Sequence, residues 1–250
     1  MMPVALDAIV DTVPPWAELR RIGARAAEVD AVLVRSSGAF TRLFELEVQH
    51  LADEVSVYER VRGKILPRCC PERHINADGS FCLGLRAGEG IDSATAATWW
   101  TKLHAFLLCQ ETAAEAGLWP PGSQLSHGDA GDIELLAEQA AAEAGAGAAY
   151  RDAVEFDIGP IAVGLSKINK MTGRLRNGRS SCLCGRKHRT GKPLLRRECH
   201  GLGCPIELEF KRRAAVDWFW RSMSNLPCCG TMLACPLKAT TPSTLSTLDN

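Results

Sequence analysis

The chain has 250 residues, 46% of them hydrophobic, enough for one large or two small cores. Its 29 Lys and Arg balance 29 Asp and Glu, yet Ser166 to Arg213 carries fourteen basic residues against three Glu, a local excess of about +11. No apolar run approaches the roughly 20 residues that a membrane-spanning helix needs, which excludes that class, and the basic segment suits nucleic acid, an acidic protein surface or a solvated face.

Eleven cysteines are present, and the N-terminus lacks the basic and apolar regions of a signal peptide. The expected location is therefore cytoplasmic, where clustered cysteines bind metal or do thiol chemistry rather than build disulfides.

In chain order, Trp16, Leu19, Ile22 and Ala26 recur at helical spacing after Pro14 and Pro15, which predicts an amphipathic opening helix. Three strand-like runs follow: Ala31 to Arg35, then Phe44, Leu46 and Val48 alternating with polar residues, then Val55 and Val57. Their short connections favour an antiparallel meander in an α+β domain. Asp92 or Ser93 caps a long helix through Trp99, Leu103, Phe106 and Leu107, which ends near Gly117. Asp132 to Tyr150 reads as one further helix, weakened by Gly145 and Gly147.

The stretch from Arg73 to Leu85 carries the chemistry. Asp78-Gly79 is a turn dipeptide, and Phe81, Leu83 and Leu85 alternate with Cys82 and Gly84. That pattern anchors one face and presents the Cys82 thiol on the other. His74 and Asn76 lie just upstream, and a thiol near an imidazole and a carboxamide suits acyl chemistry. Upstream, Cys69 and Cys70 have three open readings: core fillers, metal ligands, or a resolving thiol for Cys82. His127 is either a base for Cys82 or a solvated loop residue.

His74-Ile75-Asn76 followed by Asp78-Gly79-Ser80-Phe81-Cys82-Leu83 resembles the active site of ubiquitin-conjugating enzymes. In that family a His-Pro-Asn tripeptide precedes the acceptor cysteine. Here Ile75 replaces the proline, and the gap from Asn76 to Cys82 is two residues shorter. The variant is most similar to the bacterial branch found in anti-phage operons of the CBASS type. The resemblance spans Trp16 to Gly131. It implies an N-terminal helix, a meander, an active-site loop and a long crossover helix. It also implies that Cys82 takes a protein C-terminus as a thioester and passes it to an amine. Asn76 would support the oxyanion and His74 would order the loop. The protein carried would be a cyclic-nucleotide synthase or a ubiquitin-like protein, with an activating enzyme as a further partner.

In the tail, Cys182-Leu183-Cys184 and Cys199-His200 supply two thiolates close in sequence and a Cys-His pair, a set that suits tetrahedral zinc. With Asn177-Gly178-Arg179 before them and Gly201 after, they resemble the small zinc motif at the end of the Sec translocation ATPase. His188 and Cys204 are substitute ligands. Cys228, Cys229 and Cys235 either form a second site or pack.

The expected division is a ubiquitin-conjugating-like domain over 10–130, a helical linker over 131–165, a cysteine-rich zinc module over 166–237 and a disordered tail over 238–250. Two other functions stay open: a zinc-dependent protein- or nucleic-acid-binding module on an inactive scaffold, and a cysteine hydrolase. Reactivity of Cys82 separates the first from the transferase, and release rather than transfer of the acyl group marks the second.

Overall fold

Period-two alternation builds the sheet. In the computed structural model, which describes residues 4–52, 54–176, 178–183, 185–198 and 203–240, four antiparallel strands lie in the order β1 (Ala17–Ile22), β2 (Ala26–Ala31), β3 (Phe44–Leu51), β4 (Glu54–Glu59). Ala27, Val29, Ala31, Leu46, Val48 and Val57 are buried on one face. The alternate residues Glu28, Asp30 and Glu45 are half-buried and pair with Arg60 and Lys64. An antiparallel sheet with one covered and one charged face needs a single covering layer.

Helix α2 (Ala96–Ala116) supplies that layer, burying Trp99, Trp100, Leu103, Phe106 and Leu107. Each such side chain contributes about 1.5–3 kcal/mol by leaving water. Before the helix, Asp92 Oδ1 accepts the N–H groups of Ala94 and Thr95. At its end Gly117 takes φ +66° and returns its N–H to the Ala113 carbonyl, the expected stop.

The opening helix is elsewhere than expected. Residues 17–22 form edge strand β1, and the helix is α1 (Val4–Asp11), whose Leu6 and Ile9 enter the core. Trp100 Nε1 donates to the Ile9 carbonyl at 3.0 Å. The cause is a bulge: the β1–β2 register shifts between Leu19 and Arg21. An extra residue there breaks the two-residue alternation and imitates helical spacing. The run from Ala31 to Arg35 is likewise displaced, since β2 ends at Ala31 and Val34 makes only an isolated bridge to Phe40.

Contacts divide the chain into two units. The first joins the residues up to Ser123 with those from Ser224 onward; the second runs from Gln124 to Met223. In the first, Leu233 donates its N–H to the Gly117 carbonyl at 2.7 Å and covers Gly117, where a Cβ would lie 2.8 Å from Leu233 Cγ. Leu237 is buried in a 3-10 turn, Pro236–Thr240, so the expected disorder does not begin at Lys238; residues 241–250 lie outside the described residues.

The second unit holds α3 (Ala130–Glu143), α4 (Gly147–Glu155), α5 (Gly159–Leu165), the short pair β5 (Ile168–Asn169) and β6 (Arg174–Leu175), and α6 (Pro205–Ser222). The single helix expected over Asp132 to Tyr150 is thus two, parted at Gly145 with φ +67°. Tyr150, Ile161, Ile168 and Ile206 form the core. Glu209 is fully buried and accepts from Arg212 Nε at 2.6 Å and Arg213 Nε at 2.8 Å, so its charge is matched inside the unit. Among the described residues no helix is long and apolar enough to cross a membrane.

Candidate active site

The Cys82 loop is assembled by backbone pairing. Cys70 and Ile75 exchange N–H···O bonds at 3.0 Å each, enclosing the 3-10 turn Pro71–Arg73. His74 closes that turn at φ +54°, a left-handed conformation rarely adopted by a non-glycine residue. Arg73 holds it from inside: its Nε donates to Gln110 Oε1 at 2.8 Å, and Gln110 Nε2 donates back to the Arg73 carbonyl at 2.7 Å. A buried guanidinium with such complementary partners is a rigid clamp onto α2.

Next comes the Asp78-Gly79 turn. Gly79 has φ +87° and donates its N–H to the Asn76 carbonyl at 2.9 Å. Asp78 Oδ1 accepts the Ser80 N–H at 2.9 Å and the Ser80 hydroxyl at 2.7 Å, an Asx turn. Asn76 Nδ2 donates to Ser80 Oγ at 2.9 Å. Phe81 donates its N–H to the Val57 carbonyl at 2.9 Å and stacks on Phe106 with centroids 4.8 Å apart. Cys82 then donates its N–H to the His74 carbonyl at 2.8 Å.

Phe81 and Leu83 are buried while Cys82 is half-buried, so the alternation faces the thiol away from the core. It opens on a pocket of about 180 Å³ lined also by Asn76, Ser80, Val57, Gly84 and Trp99. Gly88 forms another wall, lying so close to Val55 that a Cβ would meet its carbonyl oxygen at 2.2 Å.

Of the residues expected to act, Cys82 and Asn76 line this pocket together. The buried His74 ring packs on Trp119 with centroids 4.9 Å apart, and its carbonyl positions Cys82. His127 is no solvated loop residue: in the second unit it stacks on Phe219, and burial pushes its pKa down to about 4. Ser80 holds the Asn76 amide and Asp78 holds Ser80; the sequence marks Asp78 as a turn residue but does not announce this role of Ser80.

Of the expected zinc ligands, Cys184, Cys199 and His200 lie outside the described residues. Cys182 is half-buried and lines a cavity of about 180 Å³ with Cys204, one of the substitutes. His188, the other substitute, has its Nε2 3.1 Å from Glu198 Oε2. Cys182 and Cys204 are thiols of the type zinc takes, and they line one cavity. Among the described residues no group of three or more Cys, His, Asp or Glu is arranged to hold a metal ion.

Residues 17–121 match the family model described as prokaryotic E2 domain, and residues 161–237 match the one described as cysteine-rich domain, C-terminal to E2 domain. No curated protein and no solved structure matches the chain. The chain is thus similar to bacterial E2-like proteins, with the Cys82 loop inside the E2 match and Cys182 to Cys235 inside the cysteine-rich one.

Proposed function

We propose that the protein is an E2-like conjugating transferase that carries a protein C-terminus as a thioester on Cys82. The observation that carries this reading is the pairing of the half-buried Cys82 with the Asn76 amide in one pocket, inside the E2 match. The Cys82 thiolate attacks the activated carbonyl of the incoming C-terminus, and the activating group leaves. An amine then attacks the thioester and gives up a proton to solvent, the tetrahedral oxyanion collapses to the amide, and the Cys82 thiolate departs. Asn76 spends one N–H on Ser80 Oγ and keeps a second for the oxyanion. His74 contributes by its backbone, holding Cys82 in register. Most of the rate comes from positioning, because a thiolate is already a good leaving group.

The chain carried is a ubiquitin-like protein or, by the resemblance to anti-phage operons, a cyclic-nucleotide synthase; an activating enzyme supplies it. The cysteine-rich domain holds a structural zinc through Cys182 with Cys184, Cys199 and His200, and Cys204 stands ready as a replacement ligand. Bound zinc would supply a crosslink there and no chemistry.

The test is loading. Incubated with the activating system, the protein should form a thiol-sensitive adduct that Cys82→Ala abolishes and Cys109→Ala retains. An adduct that survives Cys82→Ala overturns the assignment. Release of the acyl group to water rather than to an amine would instead mark a hydrolase.

A further inference from the structure

A second group of thiols lies in the first unit, and neither Cys70 nor Cys229 lines the pocket of Cys82. The Sγ atoms of Cys70 and Cys229 are 2.8 Å apart, although the residues are 159 positions apart in sequence and are not disulfide-bonded. Cys70 is buried at the start of the Cys82 loop, and Cys229 is half-buried, within reach of a small reagent. Thr231 Oγ1 lies 3.1 Å from Cys229 Sγ, and the Arg73 guanidinium reaches the same hydroxyl at 3.4 Å. Donors and a cation therefore converge on one sulfur. Cys229 is held at a pKa of about 5 by the hydrogen bond from Cys70, by Thr231 and by Arg73. The same pairing and burial push the Cys70 thiol well up. Thiolate and thiol thus sit face to face, the two protonation states that a disulfide exchange consumes.

We propose that Cys70 and Cys229 are a reversible dithiol–disulfide pair whose oxidant is a small-molecule disulfide. The Cys229 thiolate attacks one sulfur of that disulfide, and the S–S bond breaks to release a thiolate, which takes the Cys70 proton. The Cys70 thiolate then attacks the Cys229 sulfur of the mixed disulfide. The second small thiolate leaves and is protonated by solvent. Two electrons pass from the protein to the reagent, and the two sulfurs close from 2.8 Å to about 2.05 Å. Half-exposed Cys229 makes first contact, so buried Cys70 never needs to meet the reagent. The bond ties the segment after α6 to the turn that begins the Cys82 loop, and it does not depend on the acyl chemistry of Cys82. Disulfides in reducing compartments are typically of this transient, sensing kind.

The experiment uses the full chain and oxidised glutathione, followed by alkylation of remaining thiols and non-reducing peptide mapping. The expected product joins the Cys70 and Cys229 peptides, lighter by two hydrogens than the reduced pair. Dithiothreitol should reverse it. Cys229→Ser should abolish the crosslink and leave buried Cys70 without glutathione, while Cys69→Ser and Cys228→Ser should leave the crosslink in place. Wild-type mapping needs no variant, so a poorly folding Cys229→Ser leaves the test intact. Full alkylation of both thiols after oxidation would overturn the proposal. So would a crosslink to Cys69, Cys228 or Cys235 instead, or thiols that react only after a chelator has removed a bound metal.

Discussion

The Cys82 loop and the cysteine-rich stretch after Asn177 are both irregular and rich in chemistry, yet they are held in opposite ways. Between Cys70 and Leu83, the side chains of Pro71, Arg73, His74, Ile75, Ser80 and Phe81 are all buried. Among the described residues from 178 to 198, none is buried; Leu183, Leu194 and Leu195 are half-buried. The first loop is a product of the core beneath it. The described part of the second buries little apolar surface against the entropy of ordering its backbone, about 1–2 kcal/mol per residue. In the proposed function a bound metal makes up the difference, because its binding free energy becomes folding free energy.

The largest effect follows from that contrast. Stripping metal with a strong chelator should remove hydrogen-exchange protection from residues 178–198 and leave α2 and the sheet protected. Elemental analysis should first find about one zinc per chain, lost on Cys182→Ser. A stretch that stays ordered without metal would break the contrast.

The mirror experiment deletes core beneath the other loop. Phe81→Ala removes a buried ring stacked on Phe106 and should cost about 3–5 kcal/mol of stability by urea unfolding. Leu194→Ala, at a half-buried site, should cost far less. Similar losses at both positions would mean that the second stretch has a core of its own.

Asn76→Ala sharpens the site itself. Loss of one oxyanion donor should slow transfer to an amine by about 10²–10³, or about 2.7–4 kcal/mol, and slow loading much less. Equal slowing of both steps would leave Asn76 as a turn residue acting through Ser80. Gly79→Ala comes next: φ +87° and a Cβ 3.1 Å from Arg62 Cδ should cost about 1–2 kcal/mol.

The smallest effect is a pH dependence at Glu72, whose carboxyl is pushed up to about 7 by burial, with the nearby Cys229 adding to it. A raised carboxyl pKa means that the folded state binds the extra proton between the ordinary carboxylate range and about 7. Stability therefore falls as pH rises through that window. Glu72→Gln should flatten this part of the stability profile, and an unchanged slope would assign it to another group.

Local signals account for what could be read early. Alternation marked β3 and β4, Gly117 marked the end of α2, and Asp78-Gly79 with the Phe81, Leu83 alternation marked the turn that presents Cys82. These features are determined by residues within a few positions of one another, so the sequence carries them directly. The run from His74 to Leu83 that carries the resemblance lies inside the E2 match at 17–121.

Long-range packing decided the rest. A bulge at β1 disguised a strand as a helix. The clamp between Arg73 and Gln110 joins residues 37 positions apart, and nothing in either neighbourhood announces the other. The residues after Ser224 share the cysteine-rich match with the proposed zinc ligands, yet Leu233 packs on Gly117 and Cys229 meets Cys70. Sequence by itself determined that this protein would present one thiol on a tight turn ahead of a long covering helix. Only tertiary structure decided which of its other cysteines would meet, because a thiol's partner is set by where the chain returns, and the return is governed by burial of distant apolar faces.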